Sequence, residues 1–192
     1  MDNIQTEKAL ATTKLESERL ILRAFEPADF DAYADYHQNA EVYRFLYQEP
    51  PKGDALRHAF DAQLGRSFET DGEALHLAVV TKDGGDLVGE VILKLASKEA
   101  RQGEVGYIFN PRFAGRGYAT EALRRLVDFA FDELHFHRLF ARLDAKNHGS
   151  AGVVERLGFR REAHLIENDC FNGTWGDEYI YAMLKREWGG LG

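Results

Sequence analysis

Two glycines in three residues, set between an extended run and a long amphipathic helix, constrain this chain more than any other feature. The segment reads Asn110-Pro111-Arg112-Phe113-Ala114-Gly115-Arg116-Gly117-Tyr118-Ala119-Thr120-Glu121. Upstream, Glu104 to Phe109 reads as a strand closed by Asn110-Pro111. Downstream, Ala119, Ala122, Leu123, Leu126, Val127, Ala130 and Leu134 recur at helical spacing. Glycine lets the backbone turn tightly and approach a ligand. The first amides of a helix lack internal partners, and the helix dipole favours an anion there. The turn is therefore a candidate phosphate or diphosphate site. It lacks the Gly-Lys-Ser/Thr end of a P-loop and the third glycine of a dinucleotide fingerprint. On this segment alone, a structural turn with no ligand is the alternative.

The remaining pattern is that of one mixed α/β domain over residues 15–188, with 1–14 as a loose N-terminal tail and 189–192 as a C-terminal one. Leu20 to Arg23 reads as the first strand, residues 28–47 and 54–68 as helices, and Leu75 to Val80 and Leu87 to Leu95 as strands around the turn Lys82-Asp83-Gly84-Gly85-Asp86. With Glu104 to Phe109 these predict an antiparallel meander. A strand at Leu139 to Leu143 after the long helix implies a crossover and a parallel pair. Asn147 to Leu157 predicts a further helix. Phe159 to Ala163 begins a strand that returns through the Asn172-Gly173 turn to Glu178–Leu184.

Charge and composition bound the chemistry. The 24 Lys and Arg stand against 32 Asp and Glu, a net charge of −8. Such a surface argues against nucleic acid as a partner and suits a cationic or amine-bearing one; plain solubility is the competing explanation. No apolar run approaches the roughly 20 residues of a membrane helix, so no membrane partner is expected. Cys170 is the single cysteine, which leaves no internal disulfide; with no secretory pattern at the N-terminus, a cytoplasmic location is expected. His135 and His137 lie two apart with no third ligand suggested, and no metal is expected.

Arg112-x-x-Gly115-x-Gly117, with Gly115 to Ala122 around it, resembles the pyrophosphate loop of the GNAT superfamily of N-acetyltransferases. Asn147-x-x-Ser150, Leu157-Gly158-Phe159 and Glu162 resemble the ribosomal-protein (RimJ/RimL) branch of that family. Glu18 to Arg23 is similar to its first strand, and Asn172-Gly173-x-Trp175-x-Asp177, Tyr181 and Glu187-Trp188 to its end. The resemblance spans about residues 15–188 in four ordered blocks.

The resemblance implies a mostly antiparallel sheet with one splayed parallel pair, flanked by helices, and acetyl-CoA as cosubstrate. Tyr107, Ile108 and Phe109 would align the pantetheine. Arg112, Gly115, Arg116, Gly117, Tyr118, Ala119 and Thr120 would receive the pyrophosphate. Glu104, in the position of the family's Glu-x-Gly-Tyr strand, is the first candidate base, or else a glutamate that binds substrate or pairs structurally. Asp169 is the second, with a polar loop residue as the alternative. The family's common acid, a tyrosine four residues before the Gly-Phe pair, is Val154 here, which leaves Ser150 to meet the CoA sulfur unless it only supports the helix start. Asn147 would touch the pantetheine arm, cap the helix, or both. Tyr36, Tyr43, Trp175 and Asp177 are the acceptor-side candidates, with core packing the alternative for the two tyrosines. A covalent route through Cys170 has no surrounding motif. The expected reaction is transfer of acetyl to a primary amine, a peptide N-terminus or a small molecule, with a silent acyl-CoA sensor as the alternative. A strand edge or the tail leaves room for a homodimer.

Overall fold

The computed structural model describes residues 14–64 and 68–189. The expected N-terminal tail lies outside the described residues except for Lys14, which opens a strand. Of the C-terminal tail only Gly189 is described.

Eight strands form one sheet: β1 (Lys14–Glu16), β2 (Leu20–Arg23), β3 (Ala74–Thr81), β4 (Leu87–Ser97), β5 (Gln102–Phe109), β6 (Arg138–Asp144), β7 (Arg160–Phe171) and β8 (Thr174–Leu184). Their order is β1-β2-β3-β4-β5-β6-β8-β7. Every neighbouring pair is antiparallel except β5 and β6. The expected meander is therefore β2 to β5. The Lys82–Asp86 turn is tied by Thr81, whose hydroxyl donates to the Asp83 carbonyl and accepts the Asp86 amide. β1 went unread because three residues carry too little alternation to register.

On one sheet face lie α4 (Tyr118–Asp128) and α5 (His148–Arg156). Ala122, Leu123, Leu126 and Val127 form the inward stripe of α4 and are fully buried. They pack on Leu77, Val79, Val91, Leu93, Leu139 and Ala141. At roughly 1.5–3 kcal/mol per large buried apolar side chain, this stripe fixes the helix to the sheet. The helical run continues to Leu134, as its periodicity predicts, but through a π segment, Phe129–Glu133, in which the Leu134 amide reaches the Phe129 carbonyl at 3.0 Å.

The opposite face carries α1 (Phe30–His37), α2 (Ala40–Tyr43) and α3 (Asp54–Gln63). Here the expected single helix over 28–47 is corrected. A 3-10 turn at Pro27–Asp29 precedes α1, and the chain breaks at Gln38-Asn39. Asn39 is extended, and its side-chain oxygen accepts the Glu41 amide at 2.9 Å, so it caps a new short helix instead of continuing the old one. The second expected helix, 54–68, ends at Gln63; residues 65–67 lie outside the described residues and Phe68 is a buried core residue.

Phe60 of α3 is fully buried and meets Phe25, Phe30 and Tyr33 edge-on. Between these rings and the sheet sits a polar group. Glu90 of β4 is 2% exposed and bonds His37 Nε2 (2.8 Å) and His76 Nδ1 (3.3 Å), while His37 Nδ1 meets the Tyr43 hydroxyl at 2.6 Å. Burial pushes the Glu90 carboxyl up, but the two histidines outweigh it and hold it below the usual range.

Candidate active site

The parallel pairing of β5 and β6 is short. Three Cα pairs carry it: Gln102–Arg138, Gly103–Leu139 and Glu104–Phe140. Beyond Glu104, β5 continues against β4 as far as Phe109–Gly89. Beyond Phe140, β6 continues against β8 as far as Asp144–Glu178. A wedge opens between the two strands, so the β6-facing backbone groups of residues 105–109 lack a strand partner and are available to a ligand.

The outer end of the wedge is the glycine turn. Asn110 accepts the Arg112 amide at 3.0 Å and starts the 3-10 turn Pro111–Phe113. Gly115 (φ 78) and Gly117 (φ 79) are both left-handed, a conformation costing roughly 1–2 kcal/mol for other L-residues. α4 starts at Tyr118, so its first amides have no intrahelical acceptor. A cavity of about 500 Å³ adjoins this turn. Of the residues assigned here from sequence, Phe109, Gly115, Gly117, Tyr118, Ala119 and Thr120 line it. His148 and Arg156 also line it. Unhindered glycines, free helix amides and an open strand pair suit a diphosphate carrying an extended arm, as in acetyl-CoA. The turn and helix would hold the diphosphate, and the β5 backbone the arm.

The arginines are arranged differently from the sequence expectation. Arg112 is strongly exposed and paired with Asp35 of α1 at 3.3 Å. Arg116 lies over the Phe113 ring, 5.5 Å from its centroid. Neither side chain lines the cavity among the described residues. Arg156 does, and its Nε donates to the Thr120 hydroxyl at 3.3 Å. Arg156 was missed because it stands at the far end of a helix, 36 residues beyond the Thr120 it bonds.

On the same sheet face, the Tyr107 hydroxyl donates to the Ser150 carbonyl at 2.8 Å and ties β5 to α5; burial pushes its pKa well up. Asn147 caps α5, its side-chain oxygen accepting the Ser150 amide at 3.0 Å. Ile108 points to the opposite face and packs against the aromatic cluster of α1 and α3.

Strand alternation sets Glu104, Arg142, Asp144 and Glu178 on the α1–α3 face. Arg142 donates twice to Glu178, both at 3.0 Å, and this raises its pKa, with Glu104 and Asp169 contributing to the field. Asn168 donates to Glu178 at 2.8 Å. The Tyr47 hydroxyl donates to Asp144 at 2.5 Å and overlies Gly176, where a Cβ would sit 1.9 Å from it. Burial raises the Tyr47 pKa above the usual range, and the carboxylates of Asp144, Asp169 and Glu178 push it further. Asp144 and Glu178 thus bond Tyr47 and Arg142 directly, and Asp169 and Glu104 add to the negative field there.

Of the acceptor-side residues chosen from sequence, none joins this group. Tyr36 is fully buried in the aromatic core. Tyr43 is 7% exposed and its hydroxyl is spent on His37. Asp177 lies one residue from Glu178 and so on the other sheet face, where His164 Nε2 (2.8 Å) and the Glu167 amide (2.9 Å) occupy its oxygens and hold its pKa down. Trp175 shares that face and is exposed. Parity was the signal that could have found Glu178: it lies two residues from Ile180, opposite Asp144.

Cys170 is exposed and free. Among the described residues no group of three or more His, Cys, Asp or Glu side chains is placed to hold a metal ion, and no helix is long and apolar enough to cross a membrane.

Comparison with known proteins agrees with this geometry. Residues 19–160 match the family described as acetyltransferase (GNAT) domain. The uncharacterized N-acetyltransferase YnaD of Bacillus subtilis is 28% identical, over 91% of this chain and 98% of its own. The spermidine N(1)-acetyltransferase of Vibrio cholerae is 25% identical, over 89% of this chain and 96% of its own. The crystal structure of a GNAT-family acetyltransferase from Bacillus anthracis superposes with a TM-score of 0.82 at 27% identity, covering 91% of this chain and all of that one.

Proposed function

The chain belongs to the GNAT acetyltransferase family and is an acetyl-CoA-dependent N-acetyltransferase; from that premise we propose that its acceptor is a cationic primary amine, either a small polyamine-like molecule or a peptide N-terminus, approaching from the α1–α3 face. One observation carries this reading: Glu104, Asp144, Asp169 and Glu178 gather beside the β5–β6 wedge, with Arg142 as the cation among them. Such a field draws in an ammonium and orients it. The V. cholerae relative, named for spermidine, is consistent with an amine of this type.

Acetyl-CoA supplies an activated thioester. The neutral amine attacks its carbonyl carbon; a C–N bond forms, the C–S bond breaks, and CoA leaves as the thiol. Glu104, at the mouth of the wedge, takes the amine proton through a water. The open β5 amides stabilise the developing oxyanion. The Ser150 hydroxyl, in the first turn of α5, donates a hydrogen bond to the departing thiolate, which becomes the thiol by taking the proton released from the amine through water. Holding both reactants in one wedge supplies much of the remaining rate by proximity. Asp169 keeps the field around Arg142 and Tyr47 negative.

The test is release of free CoA from acetyl-CoA in the presence of polyamines, amino sugars and N-terminal peptides, with the product identified by mass. Acetylated polyamine or peptide is the expected result. Acetylation confined to neutral or anionic acceptors would sink the acidic-face reading, and tight CoA binding with no turnover on any acceptor would point to an acyl-CoA sensor.

A further inference from the structure

A helix N-terminus that receives a diphosphate should be clear of other anions, yet a carboxylate stands in the first turn of α4. Glu121 lines a second cavity, of about 660 Å³, that shares Gly117, Thr120 and Arg156 with the first. A free carboxylate here would occupy the positive end of the helix dipole and repel phosphate.

Glu121 is instead held from the side. Its Oε1 accepts the Arg19 amide (2.8 Å) and the Ser17 hydroxyl (2.7 Å). Its Oε2 takes Arg19 Nε at 2.7 Å and Nη2 at 2.6 Å. Burial pushes the Glu121 carboxyl up, but these bonds outweigh it and keep the group ionised at neutral pH. Arg19 also grips the turn itself. Its Nη1 donates to the Arg116 carbonyl at 3.0 Å, and its guanidinium lies 4.9 Å from the Tyr118 ring centroid. The loop carrying Arg19 is fixed in turn, because Lys82 donates its amide to the Arg19 carbonyl (2.8 Å) and its ammonium to the Ser17 carbonyl (2.7 Å). One side chain from the β1–β2 loop therefore joins Arg116, Tyr118 and Glu121, about a hundred residues away in sequence.

We propose that Arg19 is a positioning residue for acetyl-CoA: it draws the Glu121 carboxylate off the α4 N-terminus, leaves the helix amides to the diphosphate, and fixes the shape of the turn. This rests on the acetyl-CoA reading of the site. A bidentate guanidinium suits the task, since it neutralises the carboxylate and still has a donor for the Arg116 carbonyl.

The test is acetyl-CoA binding, measured by titration calorimetry, in the parent, Arg19→Ala, Arg19→Lys and Glu121→Gln chains and in the Arg19→Ala/Glu121→Gln double variant, with thermal unfolding recorded for each. Arg19→Ala is expected to raise Kd about ten-fold or more, because the uncovered carboxylate competes with phosphate. Removing that charge in the double variant is expected to bring Kd back to within roughly three-fold of the parent. Arg19→Lys, which keeps the charge and loses the fork, should fall between. The loss should appear in the KM for acetyl-CoA and not in kcat. If Arg19→Ala does not fold, Arg19→Lys with and without Glu121→Gln carries the same comparison. A parent that does not bind acetyl-CoA takes both readings down. A parent that binds, with Arg19→Ala equally tight or the double variant as weak as Arg19→Ala, overturns the role of Arg19 alone.

Discussion

On the α4–α5 face of the sheet the core is a large apolar cluster that includes the stripe of α4, whereas on the α1–α3 face an aromatic core encloses an ionised Glu90 held by His37 and His76. The two faces also build their sites differently. The proposed cofactor side uses backbone: left-handed glycines, the first amides of a helix and the unpaired edge of β5. The proposed acceptor side uses side chains from separate elements, Glu104, Asp144, Asp169 and Glu178 with Tyr47 and Arg142. A backbone site tolerates change in neighbouring side chains and is broken by changes in conformation or charge at the turn. A site of assembled carboxylates can be retuned one residue at a time.

The largest expected effect falls on the backbone site. Gly117→Glu sets a negative side chain on a left-handed residue beside the cavity. Acetyl-CoA affinity is expected to drop at least about a thousand-fold, roughly 4 kcal/mol, with the fold retained. Calorimetry against circular dichroism separates the two; near-parental affinity would remove the turn from the site altogether.

Next comes the buried network of the other face. Glu90→Gln replaces charge-assisted bonds to His37 and His76 with neutral ones, and is expected to cost about 2–3 kcal/mol of stability at neutral pH. The Glu90 pKa is depressed in the folded chain, so its contribution is present above the unfolded value near 4.5 and is lost as pH falls through the folded one. The gap between parent and variant in urea melts should therefore narrow below about pH 4.5. A gap that stays constant from neutral pH to pH 3 would contradict an ionised Glu90.

Ser150→Ala probes the proposed contact of its hydroxyl with the leaving sulfur. It is expected to lower kcat about ten-fold, near 1.4 kcal/mol, with a smaller change in acetyl-CoA affinity. The cap at the start of α5 survives, because Asn147 accepts the backbone amide of residue 150 and not its side chain. Equal losses in kcat and in affinity would reassign the serine to binding.

The contrast between the faces also explains what could be read from sequence. The turn, α4, the crossover and α5 with its Asn147 cap are local patterns, and each strand–turn–helix unit announces itself within about a dozen residues. The α1–α2 break hinged on one competing hydrogen bond at Asn39, which periodicity cannot weigh against helix propensity. The acceptor face depended on register. Asp177 and Glu178 are equally acidic in sequence, and only the pairing of β8 with β6 turns Glu178 toward Arg142 and Asp177 toward His164. Core packing was the competing sequence reading for Tyr36 and Tyr43, and both are buried, Tyr36 in the cluster it forms with residues of α3 and β4.

The smallest expected effect tests the same boundary from the sequence side. Motif position makes Arg112 a phosphate ligand, but its guanidinium pairs with Asp35 of α1 and lies outside the lining of the cavity. Asp35 also accepts the Asn110 side-chain amide at 2.9 Å, so Arg112 and Asn110 share one carboxylate that joins the acceptor-side helix to the cofactor turn. An exposed pair of this kind is worth about 0–1 kcal/mol. Arg112→Ala should accordingly change acetyl-CoA affinity by less than about two-fold, while Arg156→Ala, which removes the guanidinium beside Thr120, should weaken it several-fold. Because Asn110 still holds Asp35 in the Arg112→Ala chain, the turn keeps its anchor and the comparison isolates the charge. If the two substitutions trade places, with Arg112→Ala the more damaging by calorimetry, Arg112 must swing from Asp35 to the diphosphate on binding, and the link between the two faces would then be broken each time the cofactor arrives.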